Sequence, residues 1–452
     1  MLRVAVVGSG PSGVYSAQNI VQQEPVALVD VLDRLPCPYG LVRYGVAPDH
    51  EKIKSLQNNL RAVLEHERVR FLGGVQIGAG GVPAARLREL YHAVVYCVGA
   101  ATDRRLGIPG EDLPGSWSAT QFVSWYSAHP DAVDDGFVRD ARSAVVIGVG
   151  NVAVDVTRIL ARGAAELSPT DMPEAALRAL GASRVAEIQT VGRRGPSQAR
   201  FTTKELRELG TLPDAEVSVD PAELALDPAL ADPAALAAPQ RRNVEVLRGW
   251  ADRAPRGAPR RIRLRFFLRP VELLAEAGRV GAVRFERTAP DGRGGVTGTG
   301  EFEVVQAQLV LRSVGYRGMP LEGLPFDADR GTVPHAEGRV LRGGVVAPGE
   351  YVAGWIKRGP TGVIGTNRPC AKETVTSLLA DVPLLVCREV AEDPLAALRA
   401  EGVEPVEWPG WRAIERAEAE LGVSLGRSVV KLPDWPSLLT AARAASGRSR
   451  GV

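Results

Sequence analysis

Residues 2–13 read LRVAVVGSGPSG, a continuous apolar run that ends in Gly8-x-Gly10-x-x-Gly13. A short buried strand feeding such a turn opens a βαβ nucleotide unit. The first glycine permits the tight turn, the second lets a pyrophosphate approach the backbone, and the third lets helix pack closely on strand. Residues 14–23 suit that helix, and a second apolar run, 26–32, ends in Asp33, twenty residues after Gly13. An acid at that spacing reaches a ribose hydroxyl. Asp30 competes for the role. Alternation along a strand puts the two acids on opposite faces, so only one can serve, and the strand-end position favours Asp33.

The same grammar returns at Ser143, in SAVVIGVGNVAVDVTRIL, with Gly148-x-Gly150-x-x-Ala153 as the turn. Asp155 falls in the first turns of the following helix, where the helix dipole alone would account for it. The next strand is delayed by an Ala-, Leu- and Pro-rich insertion, 163–183, and arrives as VAEIQTVGRRG. At its tip, where an unphosphorylated ribose would meet an acid, stand Arg193 and Arg194. Two guanidinium groups there fit a 2′-phosphate and select NADPH over NADH. In FTTKELREL, Thr202 or Thr203 can cap a helix that carries Glu205 in its first turn.

Between the two units, 36–49 is a proline- and glycine-rich loop, 51–66 reads as one helix, and His50 reads as a residue satisfied at that helix's start. Residues 93–103, AVVYCVGAATD, form another short buried strand with a glycine exit, returning to the first sheet. The texture changes at IPGEDLPGS, after which a new domain begins. Residues 213–239 read as peripheral. Then come Arg241, Arg242, Arg248, Arg253, Arg256, Arg260, Arg261, Arg263, Arg265 and Arg269 against only Glu245 and Asp252, in a chain of net charge +2. Such a field would steer an acidic partner with salt-dependent strength. A solvated arginine face reads equally well. The interleaved aromatic pattern of a single-strand nucleic-acid binder is missing.

The strand 309–318, LVLRSVGYRG, repeats the form of 93–99 and marks the return to the first domain. Residues 351–381 then read as a buried strand (351–353), a glycine-rich loop (354–366) and a helix from about Pro369. Gly359, Gly362 and Gly365 let backbone approach a flat or anionic ligand, and the helix N-terminus adds positive potential. This end is expected to face a flavin ring whose other end is held from residue 8 onward, so that the last third of the chain folds back onto the first. Beyond 383 come helical segments with Trp408, Trp411 and Trp435 among prolines, in which no chemistry is legible.

A hydrophobic content of 45% and a charged content of 24% are those of a soluble globular protein, and 452 residues allow two to three domains. No apolar run is long enough to span a membrane. A strand beginning at Leu2 leaves no room for a targeting peptide, so the expected location is cytoplasmic. Cys37, Cys97, Cys370 and Cys387 form no CxxC pair, which argues against a redox dithiol, a disulfide scaffold and a cysteine-held iron–sulfur cluster.

Two nucleotide units in series describe a flavoprotein that takes hydride from one nucleotide to another. The stretches VVGSGPSG (6–13), PYGLVRYGVAPDH (38–50), VGNVAVDVTRIL (149–160), VGRRGPSQARFTTKELREL (191–209) and GWIKRGPTGVIGTN (354–367) resemble the adrenodoxin reductase-type ferredoxin–NADP+ reductases, particularly their bacterial members. The resemblance implies an α/β fold of two Rossmann-like dinucleotide-binding domains. The FAD domain would comprise 1–105 and 321–452, the latter with a C-terminal extension, and the NADP domain 106–320. It implies FAD contacts at Ser12, Asp33, Leu41, Val75, Trp355, Gly362, Val363 and Ile364, beside the glycine turn itself. NADP contacts are implied at Gly150, Asn151, Val152, Arg193, Arg194, Glu205 and Gly362. It gives His50 and Asp155 a joint reading as a proton-relaying pair beside flavin and nicotinamide. The implied reaction passes hydride from NADPH to FAD and then single electrons to an acidic ferredoxin docked near Arg241, Arg242, Arg248, Arg260 and Arg261. Two positions depart from the family pattern: Asp33 stands where Glu is commoner, and Val149 where a polar residue is common. A flavin-dependent NADPH monooxygenase, or a non-catalytic subunit binding both nucleotides, would share both units.

Overall fold

In the computed structural model the first apolar run becomes the strand Leu2–Val7, with Val4 and Val6 fully buried. Apolar character on both faces is what a strand covered on both sides requires. Each such valine contributes about 1.5–3 kcal/mol on leaving water. The structure describes residues 1–133, 136–390 and 392–448.

Leu2–Val7 lies at the centre of an eight-stranded sheet, flanked in parallel by Ala27–Leu32 and Ala93–Tyr96. Across the sheet the order is His335–Ala336, Arg339–Arg342, Val345–Val352, Ala93–Tyr96, Leu2–Val7, Ala27–Leu32, Val69–Gly73 and Val406–Glu407. The last third of the chain therefore does return to the first. Val345–Val352 pairs in parallel with Ala93–Tyr96, setting Tyr351 opposite Val95. The helix Asn367–Leu385 follows it; Pro369 is its third residue, inside the first turn where the missing N–H costs nothing.

A second sheet is parallel throughout, in the order Ser116–Ser118, Leu309–Arg312, Ser143–Ile147, Glu187–Val191, Arg260–Arg265 and Ala215–Val219. A three-stranded antiparallel sheet, Leu268–Glu276, Arg279–Pro290 and Val296–Gln306, accompanies it. The chain divides into two compact units: 1–102, 127–131 and 316–452 in the first, and 103–126 and 132–315 in the second. Among the described residues no helix is long and apolar enough to cross a membrane.

Four readings of local structure change. The helix expected over 51–66 is two, Glu51–Lys54 and Leu56–Leu64. Between them the Ser55 hydroxyl donates to the Lys52 carbonyl at 2.8 Å, competing with the helical ladder. The stretch 213–239 is not wholly peripheral: Ala215, Val217 and Val219 alternate inward and make an edge strand. Leu309–Arg312 belongs to the second sheet, and the chain rejoins the first unit only from Tyr316. The glycine-rich loop contains a short helix, Trp355–Arg358.

The C-terminal helices Trp408–Ser424 and Trp435–Arg448 pack into the first unit, where Trp411 is 1% exposed. Near them His129 stacks edge-on against Tyr44 at 5.0 Å, and its Nδ1 accepts the Asp131 N–H. Burial, reinforced by Arg34 and opposed by Asp131, pulls the His129 pKa from 6.5 down to about 4. The unfolded chain takes up this proton near 6.5 and the native state resists it until about 4. Stability is thus intact above that window and is lost as pH falls through it, by about 3 kcal/mol at most. Urea unfolding of wild type and His129→Phe across this range should show a shallower acid loss in the variant; parallel profiles would remove His129 from the account.

Candidate functional site

In the first unit the turn after Leu2–Val7 is fixed by the Gly8 N–H donating to the Leu32 carbonyl at 2.7 Å. A Cβ on Gly13 would lie 1.8 Å from the Gly8 carbonyl oxygen, so the helix Pro11–Gln23 approaches the strand as only glycine allows. Gly10 caps that helix with no side chain over it, leaving first-turn N–H groups available to an anion.

Asp33 sits at the tip of the neighbouring strand. Its Oδ2 accepts the Ser9 N–H at 2.8 Å and the Ser9 hydroxyl at 2.5 Å, while Oδ1 accepts the Leu35 N–H at 2.9 Å. Burial holds its carboxyl above the usual carboxylate range, against the pull of the Ser9 bonds. Asp30 is fully engaged elsewhere: Arg70 grips it bidentately at 2.8 and 2.7 Å, and the Tyr91 hydroxyl adds a third bond at 2.8 Å.

Three distant stretches converge on this turn. Val75 N–H donates to the Asp33 carbonyl at 2.8 Å, and Tyr39 N–H to the Ser9 carbonyl at 3.1 Å. Gly40 lies against Gly10, with Leu41 starting a short helix, Leu41–Tyr44, just beyond. Gly354 lies so close to Ser12 that a Cβ would stand 2.4 Å from its hydroxyl. Trp355 follows, its ring 5.3 Å from that of Tyr316 and its buried Nε1 without a hydrogen-bond partner. A buried donor left unpaired costs about 1–3 kcal/mol, which a ligand acceptor would recover. Gly362 and Val363 are exposed and Ile364 half-buried, in a loop pinned by Thr366 Oγ1 to the Val363 carbonyl (2.6 Å) and Asn367 Nδ2 to the Ile364 carbonyl (3.0 Å). His50 is buried at the start of Glu51–Lys54, its N–H donating to the Ala47 carbonyl at 3.0 Å. The bare backbone turn, the strand-end acid and the orphaned indole N–H fit a flavin dinucleotide.

In the second unit Gly148 N–H donates to the Val191 carbonyl at 2.9 Å, and Gly150 caps the helix Asn151–Ala161 with open space where a Cβ would point. Asn151 Oδ1 accepts the Thr202 N–H at 2.7 Å, and Val152 is half-buried on the same first turn. The Val149 side chain packs against Gly192, and its carbonyl accepts the Arg200 N–H at 2.8 Å. Beside this turn stand exposed Arg193, half-buried Arg194 and exposed Arg200. Burial, then Arg193 and Arg200, pull the Arg194 pKa below its usual value. Among the described residues no carboxylate pairs with these three guanidinium groups. Such a cluster fits a phosphate. Glu205 is buried in Thr203–Leu209 with Oε2 unpartnered. Asp155 accepts from the fully buried Arg158 at 2.8 Å on its own helix, and lies in the second unit while His50 lies in the first.

Sequence reasoning passed over Arg200, Gly354 and the Tyr39–Gly40 pair. Arg200 could have been found as a further cation six residues past the arginine pair, and Gly354 as the residue leaving a buried strand. Nothing in the local pattern marks Tyr39.

One dinucleotide turn ends in an acid and the other in clustered guanidinium groups, which describes a protein with two dinucleotide-type turns of opposite charge preference. A family model described as pyridine nucleotide-disulphide oxidoreductase matches residues 2–190. The disulphide of that description has no counterpart here, for all four cysteines are free. NADPH-ferredoxin reductase FprA of Mycobacterium tuberculosis is 45% identical over 96% of this chain and 98% of its own. The mitochondrial NADPH:adrenodoxin oxidoreductase of Arabidopsis thaliana is 39% identical over 98% and 95%. The structure of M. tuberculosis FprA in complex with NADPH superimposes with a TM-score of 0.92 at 43% identity, covering 98% of this chain and 99% of that one. The chain belongs to the family of adrenodoxin reductase-type NADPH–ferredoxin reductases.

Proposed function

We propose that this protein is an FAD-dependent NADPH:ferredoxin oxidoreductase of the cytoplasm. The observation that carries the reading is the opposite chemistry at the two ribose ends: Asp33 at the first turn, Arg193, Arg194 and Arg200 at the second. The first unit would hold FAD through the backbone at Gly8, Gly10 and Gly13, with Ser12, Asp33, Leu41, Val75, Trp355 and residues 362–364 around it. The second would hold NADPH through Gly148, Gly150, Asn151 and Val152, with the arginines on the 2′-phosphate and Glu205 nearby. When bound, FAD would supply the chemistry that links two-electron hydride transfer to one-electron release. The protein's part is to orient the two dinucleotides, and the positive dipole end of the helix Asn367–Leu385 would favour negative charge on the ring. His50 and Asp155 would move the accompanying proton.

NADPH-driven reduction of a ferredoxin, read at the iron–sulfur protein and compared with NADH, tests the reading directly. No ferredoxin reduction by a flavin-loaded protein that consumes NADPH would refute it.

For docking, the arginine field narrows. Arg261 pairs with Glu187, Arg248 donates to the Leu230 carbonyl and Arg260 to the Ala161 carbonyl. Exposed Arg242 and half-buried Arg241, on Ala238–Ala251, carry more of the steering in this proposal than the other three. At saturating NADPH, raising salt from tens of millimolar to about half molar should lower the ferredoxin kcat/KM by roughly tenfold. Reduction of a small neutral acceptor should not change. A salt-independent ferredoxin rate would remove the docking claim.

A further inference from the structure

The segment beyond 383 carries no nucleotide motif, yet its side chains close on the loop that lies over the first glycine turn. In that loop Tyr39 has φ +83, a region that non-glycine residues enter rarely. Such strain persists only where the surroundings over-determine it. On the inner side the Tyr39 N–H is tied to the Ser9 carbonyl at 3.1 Å, and Gly40 abuts Gly10. On the outer side the Tyr39 ring meets Trp411 edge-on at 5.8 Å. The Arg43 guanidinium lies 5.0 Å from the rings of both Tyr44 and Trp411 and donates to Glu418 at 3.1 and 2.6 Å. Glu418 also accepts the Leu432 N–H at 3.0 Å, and Lys431 Nζ donates to the Arg43 carbonyl at 2.7 Å. Arg43, Glu418 and Lys431 are 4%, 2% and 2% exposed, so this polar cluster is sealed from water.

A buried ion pair adds little net stability over apolar packing of the same shape, but it fixes geometry, because either partner left alone is heavily penalised. Here the geometry it fixes is that of the strained turn against Gly10. We propose that Trp411, Glu418 and Lys431 are positioning residues for the flavin. The C-terminal helices clamp the Tyr39–Gly40 turn onto the dinucleotide loop, and the clamp sets how slowly the folded protein releases FAD. This rests on the reading of the first unit as the FAD site.

The test uses full-length, flavin-loaded protein. Flavin release is followed by the rise in flavin fluorescence after dilution, and folding separately by circular dichroism. Glu418→Gln keeps the shape and removes the charge. It should release flavin at least about fivefold faster than wild type while still folded, with NADP+ affinity unchanged. A merely structural role would lower the unfolding temperature and leave release from the folded state alone. A smaller change in release overturns the proposal. Should Glu418→Gln not fold, Trp411→Phe decides: release faster by at least about threefold supports the clamp, and less than that overturns it. Wild-type protein that never retains FAD would instead defeat the reading of the unit itself.

Discussion

Replacing Arg193 and Arg194 together by glutamine is expected to lower kcat/KM for NADPH by roughly a thousandfold and to leave NADH within about threefold. Each guanidinium lost from a phosphate removes a charge-assisted contact of about 1.5–3 kcal/mol, and about 1.4 kcal/mol is one decade. The effect is large because, among the described residues, no side chain satisfies these groups. Among the described residues no carboxylate neutralises them, and Arg194 is held close to two like charges and partly out of water. That arrangement costs energy in the free protein and recovers it on binding an anion. Arg200 is anchored to the turn through its own N–H and extends the cluster, so Arg200→Gln alone should cost NADPH about tenfold or less. Steady-state kinetics with both nucleotides checks both variants. Equal losses for NADPH and NADH would show that the arginines serve the fold or the shared part of the nucleotide.

Gly354→Ala is expected to yield protein with little flavin. At φ +79 and ψ −148 the backbone is in a region essentially reserved for glycine, so a side chain there is already strained by about 1–3 kcal/mol. The added methyl would also stand 2.4 Å from Ser12 Oγ, within the turn where the C-terminal loop meets the first dinucleotide loop. Either Ser12 moves or the loop carrying Trp355 lifts, and both sit where flavin is proposed to lie. Removing the obstruction as well, in Ser12→Gly/Gly354→Ala, should restore part of the flavin content, leaving the backbone cost in place. The ratio of flavin to protein absorbance measures this. Full flavin retention in Gly354→Ala would mean that the close approach does not shape the site.

The parts of this fold that were legible in the sequence are those whose physics is local. A strand, a glycine turn, a helix and a charged strand tip are specified within some thirty residues, so both nucleotide units and the choice between Asp33 and arginine pair could be read directly. The closing of 351–381 onto the first unit was legible because a buried strand needs a buried neighbour and the loop's glycines needed a reason. Asp30 and Asp33 could only be separated by position in the sequence; the structure separates them by partner, since Arg70 and Tyr91 come from 40 and 61 residues away. The clamp of Trp411, Glu418 and Lys431 on Arg43 spans 375 residues between its charged partners, and no periodicity records such a contact. Leu309–Arg312 misled because a buried parallel strand looks the same in either sheet.

The most direct test of the account is an anaerobic titration of the purified protein with NADPH and, separately, NADH, following the absorbance of oxidised flavin. Bleaching or a charge-transfer band at far lower NADPH than NADH is the predicted result, since it requires bound FAD, a second dinucleotide site and discrimination at the 2′-phosphate together. A protein that takes up no FAD, or whose flavin responds equally to both nucleotides, would contradict it.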